Sequence, residues 1–231
     1  MQIPIFVGYD PKEAVAYSVF CHSVLARTKA QVSFIPLTGE LAEGASNRFN
    51  TVRFEIADRL GYKGWGIWAD GDMLCRADIK ELWDLRESHY DVMVVKHEYS
   101  TKFRTKFLGQ PNEDYPKKNW SSLCLVNAGN YPWRKITREY VNQAKPGHLH
   151  RFEFLKEDRV GDLPKEWNWL ALEYEYNPKA KLVHHTIGLP CWKPYASLDP
   201  YADEWRAELK AMTHFEPYED SYDDTVKVSE R

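Results

Sequence analysis

The sequence predicts one α/β domain with a mixed, mostly parallel sheet flanked by helices. Three observations predict it. Short apolar runs end at turn residues, helical periodicities alternate with them, and no linker or internal repeat divides the 231 residues. A chain of that length builds one substantial core.

Ile3–Gly8 is an apolar run stopped by Tyr9-Asp10-Pro11, which reads as a buried strand. Over 11–27 apolar residues recur at three and four positions, with Asp10 as N-cap and Pro11 at the first helical position. A second strand is expected at 31–37, a small-residue loop at 38–50 and a helix at 51–60 that stops at Gly61. Trp65–Ala69 is a third strand, broken by Asp70-Gly71-Asp72. A short helix over 79–85 and a Val-rich strand over 91–96 follow. The stretch 98–120 is polar and basic, with Lys102, Arg104, Lys106, Lys117 and Lys118, and reads as a long excursion over the sheet. A strand at 121–126 ends at Asn127-Ala128-Gly129; a helix at 136–144, a strand at 182–185 and a helix at 203–212 complete the pattern.

Composition excludes several classes. Lys plus Arg number 31 against 34 Asp plus Glu, so no excess of positive charge points to nucleic acid or anionic lipid. Nothing approaches the roughly 20 apolar residues of a transmembrane helix, and the N-terminus lacks the basic start of a signal peptide. Cys21, Cys75, Cys124 and Cys191 lie far apart, with no C-x-x-C pair. A reduced, cytoplasmic protein is the expectation. Nine Trp, fourteen Tyr and ten Phe serve first as core, although flat rings also pack on the C–H faces of sugars.

Ligands of such sheets sit beyond the carboxyl ends of strands. Asp10, Asp70, Asp72, Asn127 and His185 all fall at or just past expected strand ends. Two carboxylates flanking Gly71 repel one another unless a cation joins them. A hard divalent ion takes oxygen ligands and shares its coordination with phosphates. Asp-Gly is also ordinary turn chemistry, so the tripeptide alone is weak.

Its setting adds more. Arg53-Phe54-Glu55-Ile56, Leu60-Gly61-Tyr62 and the run WADGDMLCRADIKELWD resemble the donor-binding half of family 8 glycosyltransferases, which include glycogenin and bacterial galactosyltransferases. Asn127-Ala128-Gly129 resembles that family's N-A-G motif, and His185-Thr186-Ile187-Gly188 with Lys193-Pro194-Tyr195 resembles its late H-x-x-G-x-x-K-P-W motif. The resemblance spans roughly Ile3 to Tyr195. It implies a GT-A domain over 1–215; the polar, acidic residues 216–231 read from their composition as a flexible tail. The resemblance also implies transfer of a hexose, with retention, from a nucleotide-diphosphate sugar, UDP favoured, to a glycan or other hydroxyl acceptor.

By the same resemblance, Asp70, Asp72 and His185 hold Mn²⁺ or Mg²⁺, and Lys193 neutralises the leaving diphosphate. Arg53 lies near the donor sugar and phosphates, Asp10 pairs with the base, Asn127 and Gly129 line the sugar subsite, and Gly188 of the late loop belongs to the donor-binding set. Arg53 also reads as a solvated helix face, Asp10 as a simple cap, Lys193 as a surface lysine, and His184 competes with His185. That loop has four residues between Gly188 and Lys193 where the family has two. The family's D-Q-D segment has no clean counterpart, which leaves Glu153, Asp158 and Asp162 as candidate supporting carboxylates. An inverting transferase using Asp158 or Asp162 as base, a nucleotidyltransferase and a non-catalytic nucleotide-sugar-binding module are the alternatives.

Overall fold

A computed structural model describes residues 2–40 and 47–214; the tail expected at 216–231 and part of the 38–50 loop lie outside them. The central sheet has six strands in the order β2-β1-β3-β8-β5-β9. They are β1 Ile3–Gly8, β2 Val32–Leu37, β3 Trp65–Ala69, β5 Val92–Val94, β8 Leu123–Asn127 and β9 Val160–Asp162. Pairing is parallel for β1 with β2, β1 with β3 and β5 with β9, and antiparallel where β8 sits between β3 and β5. A mixed, mostly parallel sheet follows, with β8 reversed.

Alternating side chains feed two core layers. Phe6, Trp68, Val92, Val94, Cys124 and Val126 pack on one face with Ile56 of α2 (Ile56–Arg59), Val141 of α4 (Arg138–Gln143) and Leu149 of α5 (Pro146–His150). Ile5, Val7, Ile67, Ala69, Met93 and Leu125 pack on the other, against Phe20 and Val24 of α1 (Ala14–Leu25) and Leu82 of α3 (Ile79–Asp84). A second sheet of β10 (Trp169–Leu170), β11 (Leu182–His184) and β4 (Met73–Cys75) packs with α1 and α6 (Ala202–Thr213) around Trp205. Strand β4 follows the Asp-Gly-Asp turn directly and pairs antiparallel with β11, so the turn is the hinge between the two sheets. The excursion over 98–120 carries a hairpin, β6 (Thr105–Lys106) with β7 (Gln110–Pro111).

Gly71 has a steric reason. A Cβ there would lie 2.3 Å from the carbonyl oxygen of Gly8 at the end of β1. Gly71→Ala is therefore expected to cost about 2 kcal/mol by forcing β1 and the turn apart. Urea unfolding checks this, and a wild-type midpoint would contradict it.

Candidate metal and donor site

The turn after β3 buries both acids: Asp70 is 8% and Asp72 2% exposed. One Asp70 oxygen accepts from Trp68 Nε1 at 2.9 Å and pairs with Arg53 Nη1 at 2.8 Å. Arg53 sits in a 3-10 turn, donates to the carbonyls of Asn50 and Ser121, and stacks over the Trp68 ring. Burial still dominates the Asp70 carboxyl and raises its pKa above the ordinary value. Asp72 goes the other way: burial would raise it, but His184 and His185 outweigh that and lower it. Behind the turn, burial and the charges of Asp72, Asp10 and Asp70 push the Glu13 carboxyl up to about 9.

The histidine that closes the cluster is His184. One ligand atom from each of Asp70, Asp72 and His184 lies within 4.8 Å of the others. His184 Nδ1 meets the Asn168 side-chain oxygen at 3.1 Å, so Nδ1 carries the proton. Its Nε2 faces Asp72 Oδ1 at 3.2 Å, the approach through which His184 lowers the Asp72 pKa. The two buried carboxylates repel one another, and a cation held between them and the imidazole relieves that repulsion. The donor set of two carboxylates and an imidazole therefore fits a divalent metal.

His185, the expected ligand, lies outside this group. It follows the end of β11, where neighbouring side chains take opposite directions. Its backbone N–H donates to the Asp72 carbonyl, and its Nδ1 is held by Asp199 at 2.6 Å.

A cavity of about 50 Å³ lies over the pair, lined by Arg53, Lys106, Tyr115, Ser121, His150, His184 and Thr186 among others. A larger one of about 660 Å³ shares Asn50, Lys106, Tyr115 and His150 with it. The excursion forms the roof. Its Phe107 N–H donates to Ile187, its Leu108 N–H to the Tyr195 hydroxyl, and its base is anchored on buried Glu173 by Thr101 and the Lys102 N–H. Burial and neighbouring Lys118 lower the Lys106 pKa, while Asp72 and Asp70 oppose that shift. Helix α5 contributes His150, whose ring bridges Ser121 Oγ at 2.7 Å and Asn50 Oδ1 at 2.8 Å.

Several expected residues stand elsewhere. Because β8 runs antiparallel to β3, Asn127 pairs with Trp65 at the start of β3, the far edge from Asp70. Its amide donates to the Ser88 and Tyr90 carbonyls, and Gly129 N–H donates to Gly64. The residues β8 presents to the cavity are those at its entry, Ser121 and Ser122. Glu153 is exposed and pairs with His148 and Arg151. Asp158 is exposed, and Asp162 is an exposed edge residue paired with Lys96 at 3.3 Å. None of the three lines either cavity. Asp10 uses both oxygens on backbone N–H groups, those of Lys12 and Arg48. Lys193 is exposed. Gly188 makes room for the Tyr195 ring, which a Cβ would meet at 2.2 Å. Lys106, Ser121 and His150 had no sequence signal beyond the length and charge of the excursion.

Comparison with known proteins agrees with this architecture. "Protein CDI" of Arabidopsis thaliana is 35% identical over 222 residues, covering 89% of this chain and 85% of that protein. The chain belongs to the Protein CDI family. No family model matches it. Among solved structures, the galactosyltransferase LgtC, in complex with donor and acceptor sugar analogues, aligns with a TM-score of 0.61 at 12% identity, covering 93% of this chain and 98% of that one. The glycosyltransferase GlyE of Streptococcus pneumoniae TIGR4 aligns at 0.62 with 11% identity, over 90% of this chain and 60% of that one. The bifunctional glycosyltransferase WbbM aligns at 0.58 with 16% identity, and the chain, 90% covered, spans 49% of its length. The family member described here thus has the GT-A glycosyltransferase fold. Among the described residues, no helix is long and apolar enough to cross a membrane.

Proposed function

We propose that the protein is a metal-dependent glycosyltransferase of the family 8 type. It moves a hexose from a nucleoside-diphosphate sugar, UDP favoured, to a hydroxyl of a glycan, with retention. The observation that carries this reading is the buried Asp70, Asp72 and His184 group, faced by Arg53 and Lys106, at the carboxyl edge of a sheet shared with glycosyltransferases. Asp70, Asp72 and His184 would hold Mn²⁺ or Mg²⁺, which supplies Lewis-acid stabilisation of a diphosphate when bound.

The chain's own residues supply the rest. In transfer the bond from anomeric carbon to phosphate oxygen breaks, and its electron pair stays on the diphosphate. Arg53 and Lys106 provide fixed positive charge where that negative charge develops, in a site shielded from water. The acceptor hydroxyl adds to the same face of the sugar and gives its proton to the departing phosphate oxygen. Front-face attack suits the cavity, because Glu153, Asp158 and Asp162 lie away from it. Asn50 and His150 line the junction of the two cavities, Ser121 lines the smaller one beside them, and the three serve the donor sugar.

Mn²⁺-dependent hydrolysis across a panel of nucleotide sugars tests the reading. One donor is expected to turn over, and turnover should vanish in EDTA. Lys106→Ala is expected to lower kcat about a hundredfold, whereas Lys193→Ala should leave it near wild type. A larger loss in Lys193→Ala would return the diphosphate contact to the late loop. No turnover of any donor would sink the function.

A further inference from the structure

A cavity of about 700 Å³ is separate from the metal site. It lies at the opposite edge of the sheet, where Asp91 precedes β5 and Asn130 follows β8. Its size falls in the range of small-ligand sites, about 300–1,000 Å³. Three rings line it: Tyr131, Tyr140 and Phe154. Tyr131 is 70% exposed, so the core does not account for it.

The charges are unequal. Lys135, Lys156 and Arg159 line the cavity, and Asp91 is the one acid among its lining residues. Asp91 is fully buried and paired with Arg159 at 3.0 Å, which cancels those two charges. Lys135 stands over the Tyr131 ring, 5.9 Å from its centre, and Lys156 is exposed at the rim. Among the described residues neither Lys135 nor Lys156 has a carboxylate partner, so the site offers flat apolar faces beside two ammonium groups. Flat rings cover the C–H faces of a pyranose, and the ammonium groups match a carboxylate or phosphate carried on it. Helix α5 joins the two regions, with His148 lining this cavity and His150 the transfer cavity.

We propose that this cavity is a second saccharide site that holds an anionic sugar unit apart from the transfer centre. The choice of a saccharide rests on the glycosyltransferase reading above. Calorimetric titration of the full chain in EDTA, with tetragalacturonate, glucose 6-phosphate and maltotetraose, tests it. The anionic sugars should bind and neutral maltotetraose should bind at least about tenfold more weakly. The stronger of the carboxylate and phosphate ligands names the source of the anion. Tyr131→Ala and the double variant Lys135→Ala/Lys156→Ala should each weaken binding about fivefold. Mn²⁺-dependent donor hydrolysis should stay at wild type in both. Absence of anionic-sugar binding, equal binding of maltotetraose, or unchanged affinity in both variants would overturn the proposal. Absent hydrolysis in the wild type would sink the transferase reading instead, and the calorimetry would still decide this site.

Discussion

Asp72→Asn is expected to lower metal-dependent turnover at least about a thousandfold and to make the metal-free protein less stable. The two effects share one cause, the loss of a buried carboxylate. Asp72 is 2% exposed and faces His184 Nε2 at 3.2 Å. Burial would raise its pKa, but His184 with His185 holds it below the ordinary value, so the ionised group favours the folded state. An amide in its place keeps the shape but loses that attraction. The loss should be about 1 kcal/mol in EDTA at neutral pH. Backbone geometry is unaffected, because the Asp72 carbonyl keeps its bond from the His185 N–H. Turnover with Mn²⁺ and urea unfolding in EDTA, measured on one preparation, read both effects. Retained turnover, or a gain of stability in EDTA, would contradict this expectation.

Arg53→Met should have the largest effect on stability. Its side chain is 6% exposed, and its guanidinium pairs with buried Asp70 at 2.8 Å, opposing the rise that burial imposes on that carboxyl. Removing one member of a buried pair leaves an uncompensated charge, at a cost of about 3–5 kcal/mol. Arg53→Lys should not rescue it. The arginine fork serves Asp70 and the Asn50 and Ser121 carbonyls together, which an ammonium on a flexible stem does not reproduce. Saturating Mn²⁺ should shrink the loss, since a cation beside Asp70 takes over part of the charge compensation. Urea unfolding with and without Mn²⁺ checks this. Equal losses in both conditions would place the ion away from Asp70.

The sheet was legible in the sequence because its central strands are unbroken apolar runs between turn residues. Ile3–Gly8 and Trp65–Ala69 lie where the pattern placed them. Strand direction was not legible. Nothing in Leu123–Asn127 says that it enters the sheet reversed, and that reversal carried Asn127 to the wrong edge and Ser121 to the right one. Strand β4, only Met73–Cys75, was too short to show a period of its own.

The Asp-Gly-Asp turn could be read because its chemistry is local, two acids and a glycine that must approach Gly8. The choice between His184 and His185 depended on which of two consecutive side chains faces the turn. That parity is set by the pairing of β11 with β4, with His184 opposite Met73, a contact between distant segments. Lys106 and His150 come to the site by tertiary packing of a roof and a short helix, so local spacing carried no trace of them.

The most direct test of the central claim is Mn²⁺ affinity, measured by calorimetry in the wild type, His184→Ala and His185→Ala. The wild type is expected to bind measurably, and His184→Ala to lose at least about tenfold, more than His185→Ala. An unchanged affinity in His184→Ala, or the reverse order of the two variants, would contradict it.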